Sequence, residues 1–340
     1  MKQKILSIFI IFSLTIACTI ENEEDPYVEP KTEWVFVACE GNYGSSNGSI
    51  TMINEKGDVK EINDLGDVVN SLTVYKNKLI VLVNNSHKIL IYDIYEGGLR
   101  MPGIEIDTQS SGPREMVVFD NKIYFTNWNS SDVKIFDLQN YIIEDTIQLS
   151  GYPESIVYGN GDLWVGIQMN DDYSDSNKLH KIDPINKTVK ETYEIGFGPT
   201  DIEINGKSIY VANTYYDSNY NAFYGSTQLD SDSSQISINN YGPGVVCGGD
   251  VLILNNEIYR SFSGGIAKLS EDLEIIEETK IGDFPPAQLY ASETNDDKIY
   301  FALTNFTDVN VVKVYDQENN ELSSYEVGII PGDFAFWKSE

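Results

Sequence analysis

A short apolar run of the type Ile-Tyr-Phe-Thr-Asn returns seven times along this chain, anchored at Val35, Ile80, Ile123, Leu163, Ile209, Ile258 and Ile299, at intervals of 40 to 49 residues. A period in that range belongs to stacked or radial repeats, because one such unit cannot bury its own apolar faces. The units are punctuated alike. A turn with Gly and Pro comes first, as in Gly112-Pro113, Gly151-Tyr152-Pro153, Gly198-Pro199, Gly242-Pro243 and, more loosely, Gly282 to Pro285 and Gly328 to Pro331. A short apolar stretch follows, then a tight polar turn such as Asp120-Asn121-Lys122 or Asn205-Gly206-Lys207, then the anchor run. Two β-rich runs joined in this way form a hairpin. A third run ends at Asp93, Asp137, Asp183 or Asp316, and an alternating stretch such as Glu144–Leu149 closes the unit.

Four antiparallel strands repeated seven times predict an all-β fold, a seven-bladed β-propeller. The absence of any sustained helical period excludes an α-solenoid. The chain opens in mid-blade, since Trp34–Ala38 reads as a second strand with no first strand before it. Pro331–Trp337 matches the missing inner strand, so the N- and C-terminal strands are expected to pair and close the ring. Closure removes the sheet edges that would otherwise aggregate. The propeller is expected to span residues 34–338.

Residues 1–17 read as a secretory leader, with Lys2 and Lys4 ahead of an apolar stretch, Ile5–Ile16, too short to span a bilayer comfortably. With Thr15-Ile16-Ala17-Cys18 at its end, the leader resembles a bacterial lipoprotein signal, with Thr15 where Leu is usual. That resemblance implies lipidation at Cys18. Residues 18–33 are acidic, proline-bearing and aperiodic, which suits a flexible tether. Their acidic start resembles the surface-export signal of lipoproteins in the Bacteroidetes. The expected location is therefore the outer membrane, facing the cell surface, with a periplasm-facing linker as the alternative. Lipid would be the sole membrane attachment.

Ile123-Tyr124-Phe125-Thr126-Asn127 and Ile209-Tyr210-Val211-Ala212-Asn213, each with its upstream Gly-Pro, resemble the YVTN-repeat β-propeller family over almost the whole mature chain. Within it, a lipid-anchored propeller with an acidic tether is similar to the surface cobalamin-capturing lipoproteins of Bacteroidetes. The resemblance implies a corrinoid, a siderophore or a similar small molecule as ligand, and a TonB-dependent outer-membrane transporter as partner.

The formal net charge of −30 becomes −32 once Lys2 and Lys4 leave with the leader. Such a surface repels phosphate backbones, so nucleic acid is not an expected partner. Cys39 and Cys247 fall in the first and sixth repeats and read as small buried residues rather than a disulfide.

In an up-down-up-down blade the loop from strand two to three shares a rim with the loop into the next blade. Repeat length varies mainly in the two-to-three loop. From the anchor to the end of the third strand takes 13 residues in the second repeat, 14 in the third, 20 in the fourth, and 30 in the fifth if Asn239 is the match. Binding surfaces are built where a rigid scaffold tolerates such insertions. The fifth insert, Thr214–Tyr224, is dense in Tyr and Asn and includes Tyr215, Tyr216 and Tyr220. That composition offers rigid rings and adaptable hydrogen bonds; the plain alternative is a polar loop whose rings pack on neighbouring blades. The same rim is expected to carry Asn42, Tyr43, His87, Trp128, Tyr173, Phe262 and Phe306. Arg114 and Arg260 approach it too, and either clamp an anionic group of a ligand or pair with a nearby acid such as Glu115.

Catalytic motifs are absent: there is no Gly-x-Ser-x-Gly elbow, no HExxH and no Cys/His cluster. His180 reads as structural. Asp171, Asp172 and Asp175 carry oxygen ligands suited to Ca²⁺ but lack the spacing of a known calcium loop. No cofactor is required. The reading is a non-enzymatic, ligand-capturing propeller. Its alternatives are a protein or adhesion scaffold and an extracellular Ca-dependent lactonase-type enzyme. Capture calls for an aromatic pocket on the variable rim, a scaffold for a flat apolar patch, and an enzyme for carboxylates converging on an ion in the central channel.

Overall fold

The computed structural model describes residues 33–244, 249–307 and 310–339. Strands and turns account for the described residues, without helix, and they form seven sheets. Blade one combines the last strand, Pro331–Lys338, with Glu33–Cys39, Gly48–Asn54 and Val59–Gly66. Blades two to seven begin at their inner strands: Val69–Tyr75, Pro113–Phe119, Tyr152–Gly159, Pro199–Asn205, Val251–Leu254 and Leu289–Asn295. The expected closure is present: Pro331–Lys338 pairs antiparallel with Glu33–Cys39, in a register that sets Trp34 opposite Trp337 and Val37 opposite Phe334. The expected leader 1–17, the lipidation site Cys18, all but the last residue of the tether 18–33, and Cys247 lie outside the described residues.

The core is divided rather than central. Seven apolar clusters lie one at each seam between successive blades. Ile80 and Leu82 of blade two, for example, pack with Ile123 and Phe125 of blade three. The anchor runs that repeat in the sequence are these seam residues, facing both neighbours at once. Each large side chain buried in this way contributes roughly 1.5–3 kcal/mol. Cys39 sits in the seam between blades seven and one, and burial pushes its thiol up to about 12, which leaves it an inert apolar residue.

The Gly-Pro mark has a local cause. Gly198 adopts φ +64°, and a Cβ there would stand 1.7 Å from the Thr214 carbonyl oxygen, so only glycine lets the chain turn into the inner strand at Pro199.

Two sequence expectations change. The third strand of blade five, Ala222–Asp230, ends at Asp230 rather than Asn239, which lies in the fourth strand. From Ile209 the span is therefore 230 − 209 = 21 residues, close to the 20 of blade four. The extra length is a projecting hairpin, continued through the pairs Thr214↔Tyr224, Tyr215↔Phe223 and Tyr216↔Ala222. Gly242-Pro243 also does not open blade six. It ends the fourth strand of blade five, which runs long to pair with that hairpin, and the next inner strand starts at Val251.

Candidate functional site

The inner strands enclose a cavity of about 210 Å³ at the variable-rim end of the central channel. Its wall carries eight acids, Glu40, Glu115, Glu154, Asp201, Glu203, Asp250, Glu293 and Asp333, with Arg114 as the one cation among its lining residues.

Part of this acid set is structural. Asp333 accepts from the Leu72 amide (2.6 Å) and Asp201 from the Val251 amide (2.9 Å). Asp250 accepts from the amide and hydroxyl of Ser292 (2.6 and 2.7 Å), and Glu115 from the Ser71 hydroxyl (2.7 Å). Each bond joins neighbouring inner strands, so these carboxylates tie blade to blade. Glu203 and Glu293 sit two residues further along their strands than Asp201 and Ala291. Their neighbours are their own strands' amides, Ile204 and Thr294, rather than a cross-blade donor among the described residues.

Burial first, and mutual repulsion second, raises these carboxyls. Burial, then repulsion from Asp201, pushes Glu203 up to about 8. Burial, with Glu203, Asp201 and Asp250 nearby, does the same for Glu293. Burial takes Glu115 and Asp250 to about 7 and lifts Asp333 well above the ordinary range. At neutral pH the channel is thus a store of protons as well as of negative charge.

Arg114 closes one side of the mouth. Its guanidinium forks onto Glu154 (3.0 and 2.5 Å), donates to Asn70 (2.9 Å) and lies 4.4 Å from the Trp128 ring centre. Burial works against its charge, yet Glu154 and Glu40 hold it above the ordinary arginine value. The alternative of an internal acid partner is therefore realised by Glu154 rather than Glu115. Arg260 is fully buried behind the channel, directed at the backbone carbonyls of Asp250, Gly225 and Asn213, and so does not reach the rim as a ligand clamp.

The other predicted residues fall on the rim. Tyr173 stacks on Tyr152 (5.2 Å), whose ring edge meets Trp128 (5.6 Å). Tyr215 stacks on Phe223 (5.5 Å) within the projecting hairpin, and Phe306 meets Tyr290, whose hydroxyl donates to Glu40 (2.8 Å). Tyr43, Tyr216, Tyr220 and Asn42 are exposed. His87 is structural: its Nδ1 accepts from the Gly112 amide (3.2 Å). His180 is as well, with Nδ1 2.8 Å from the Thr192 hydroxyl and its pKa lowered by burial. Phe262 ends its strand half-buried. Asp171, Asp172 and Asp175 do not converge. They accept from the amides of Gly151, Ser174 and Tyr216 respectively, and no metal-ligating group of three acids, His or Cys occurs among the described residues.

Tyr173, Tyr220 and Phe306 share a further property. Each occupies a left-handed position of its two-to-three turn, with φ of 65°, 62° and 66°. Blades two and three place His87 (53°) and Ser131 (51°) there. A bulky residue in that region costs roughly 1–2 kcal/mol, and Gly or Asn avoids it.

The channel acids left a trace in the sequence. Pro113, Pro199 and Pro331 are each followed two residues later by an acid, Glu115, Asp201 and Asp333. The proline marks the start of an inner strand and the second residue after it faces the channel wall.

No family model and no curated protein matches this chain. Solved structures do. The "putative 6-phosphogluconolactonase" of Bacteroides fragilis superposes with a TM-score of 0.66 at 13% identity, covering 90% of this chain and 98% of that one. A protein from Lactobacillus plantarum gives 0.63 at 12%, covering 91% and 100%. Apo AztD from Citrobacter koseri gives 0.57 at 13%, covering 91% and 99%. At these identities the likeness is one of architecture alone, and it identifies the chain as a β-propeller.

Proposed function

We infer that this propeller captures a small, positively charged ligand at the variable-rim mouth of its channel. The observation that carries the reading is the convergence of Glu203 and Glu293 on a cavity of about 210 Å³ that is acidic rather than the aromatic pocket expected for capture, Phe334 being the one ring among its lining residues. A cation in that cavity offsets the burial and the mutual repulsion that hold these carboxyls protonated. The volume lies below the roughly 300–1,000 Å³ of drug-sized pockets, which favours a compact amine or guanidine over a corrinoid macrocycle. A corrinoid or siderophore would have to be held on the rim instead. Anchoring through Cys18 and transfer to an outer-membrane transporter complete the proposal. In it the protein delivers its ligand and does not transform it.

The test is calorimetric titration with putrescine, spermidine, arginine, Ca²⁺, cyanocobalamin and a ferric siderophore, in buffers of different ionisation enthalpy. The expected result is binding of an amine that tightens by about tenfold from about pH 6 to about pH 8.5 with release of protons, because the acids must ionise to receive it. The double variant Glu203→Gln/Glu293→Gln should lose that binding. Binding of cyanocobalamin alone, or amine binding indifferent to pH and to both substitutions, sinks the channel reading.

A second reading, hydrolysis of a small lactone, draws on the same carboxyls, since a carboxyl near 8 can act as a general acid at neutral pH. Turnover of δ-gluconolactone by the wild type, lost in the double variant, would favour it over capture.

A further inference from the structure

The exposed aromatic side chains are segregated. Among the described residues seven are exposed, and six of them, Tyr43, Tyr173, Phe197, Tyr216, Tyr220 and Phe306, lie on the variable rim. The seventh, Tyr95, ends a third strand. Positive charge is segregated in the opposite sense. None of the seven two-to-three loops or seven blade-to-blade connections contains a lysine or arginine, whereas Lys56, Lys76, Lys187 and Lys207 occupy turns of the other rim.

Tyr173 and Tyr220 are 71% and 88% exposed although their backbones are left-handed. In both turns the tyrosine amide closes onto the carbonyl three residues earlier, Asn170 (2.9 Å) and Asp217 (2.9 Å), as His87 does onto Asn84 (3.1 Å). The position is the one that three-residue hairpin loops reserve for glycine. Phe306, at φ 66°, remains 43% exposed despite its contact with Tyr290. Folding gains little from a ring as exposed as that of Tyr220, and the contacts of Tyr173 with Tyr152 and of Phe306 with Tyr290 leave much of both rings in water. Left-handed residues also occur in turns of the other rim, such as Lys76 and Tyr141, so it is the pairing of that backbone with large exposed rings on one rim that points to a contact outside the chain.

We propose that the variable rim is a docking surface for an extended protein segment rich in lysine and arginine, gripped by Tyr173, Tyr220 and Phe306. The loops of the rim carry no lysine or arginine to repel such a segment, Arg114 at the mouth and Lys88 beside the loop are already paired with Glu154 and Glu105, and Asp171, Asp172 and Asp217 lie beside the tyrosines in sequence. Lysine and arginine pack their stems on tyrosine faces while their charges meet carboxylates, and tyrosine is among the residue types that dominate interface energetics. The surface differs from the channel site in residues and in occupant.

The probe is a fluorescein-labelled peptide of repeated Gly-Lys-Ser-Arg, with repeated Gly-Gln-Ser-Gln as its control, titrated by fluorescence anisotropy against the full mature chain. The basic peptide is expected to bind at least about tenfold more tightly than the control and to weaken with salt. The triple variant Tyr173→Ser/Tyr220→Ser/Phe306→Ser should lose at least about tenfold in affinity for the basic peptide while still binding any small cation held by the channel. Tyr220→Gly should raise the melting temperature by about 2 °C, a change that a structural role for the ring would reverse. Equal binding of both peptides, unchanged affinity in the triple variant, or binding to a glycan array with none to the basic peptide would each overturn the proposal. Failure of the amine titration with the peptide result intact would remove the channel reading alone.

Discussion

Raising the pH from about 5 to about 8.5 is expected to lower the melting temperature by on the order of 10 °C. Glu203 and Glu293 sit at about 8, and Glu115 and Asp250 at about 7, against ordinary values of 4.5 for Glu and 3.8 for Asp. A carboxyl raised by folding binds more protons in the native than in the unfolded chain between its two values. Its favourable contribution is therefore complete below the unfolded value and is lost as pH climbs through 7 to 8. Each unit of difference corresponds to about 1.4 kcal/mol, so four such groups outweigh most single side-chain effects. The turn aspartates do not offset this. Asp137 and Asp183, held low by the amides of their own turns, change charge only in more acid solution. The variant Glu203→Gln/Glu293→Gln should flatten the profile and melt higher than wild type at the alkaline end. A wild-type melting temperature that is level or rising between these pH values would show that the carboxyls are ionised and accommodated in the fold.

Removing residues 331–340 should abolish cooperative folding of the monomer. The lost strand pairs along its length with Glu33–Cys39 and buries Phe334, Ala335 and Trp337, while Asp333 holds the Leu72 amide of the next blade. Without it Glu33–Cys39 becomes an edge whose apolar faces invite aggregation. Circular dichroism on heating should show a broad, uncooperative loss of signal, and size exclusion should show aggregates. A synthetic peptide of residues 331–340 supplied in excess should restore a sharp transition, because the gap it fills is a single strand. A truncated chain that melts as sharply as the intact one would mean that closure is dispensable.

The fold was legible because the seam residues repeat: Ile80, Ile123 and Ile299 carry the same burden in each blade, and the missing first strand announced the closure. The site was less legible, for a physical reason. Glu203 and Glu293 come from different blades, and their shared environment arises from ring geometry rather than from any spacing along the chain. Arg114 is placed at the rim by the Gly112-Pro113 turn before it, but its partner Glu154 belongs to the next blade, 40 residues away. The fifth repeat drew attention by its tyrosines, and its apparent length misled because Asn239 was taken for a strand end. Left-handed backbone at Tyr173 and Tyr220 had no sequence signature at all, since Gly and Asn are the residues that normally announce it.

Seven separate seams also make this molecule a one-dimensional array bent until its ends meet. In a linear array of repeats each unit is stabilised by its neighbours and the terminal units fray first. Here every blade has two neighbours, so no unit is terminal and none needs a polar cap. Damage at one seam weakens the two blades that share it and leaves the far side of the ring untouched, so defects on opposite sides act independently. The polar channel makes this so for packing: with acids where a common hydrophobic centre would lie, apolar contacts run around the ring, and what crosses it is repulsion among carboxylates such as Glu203 and Glu293.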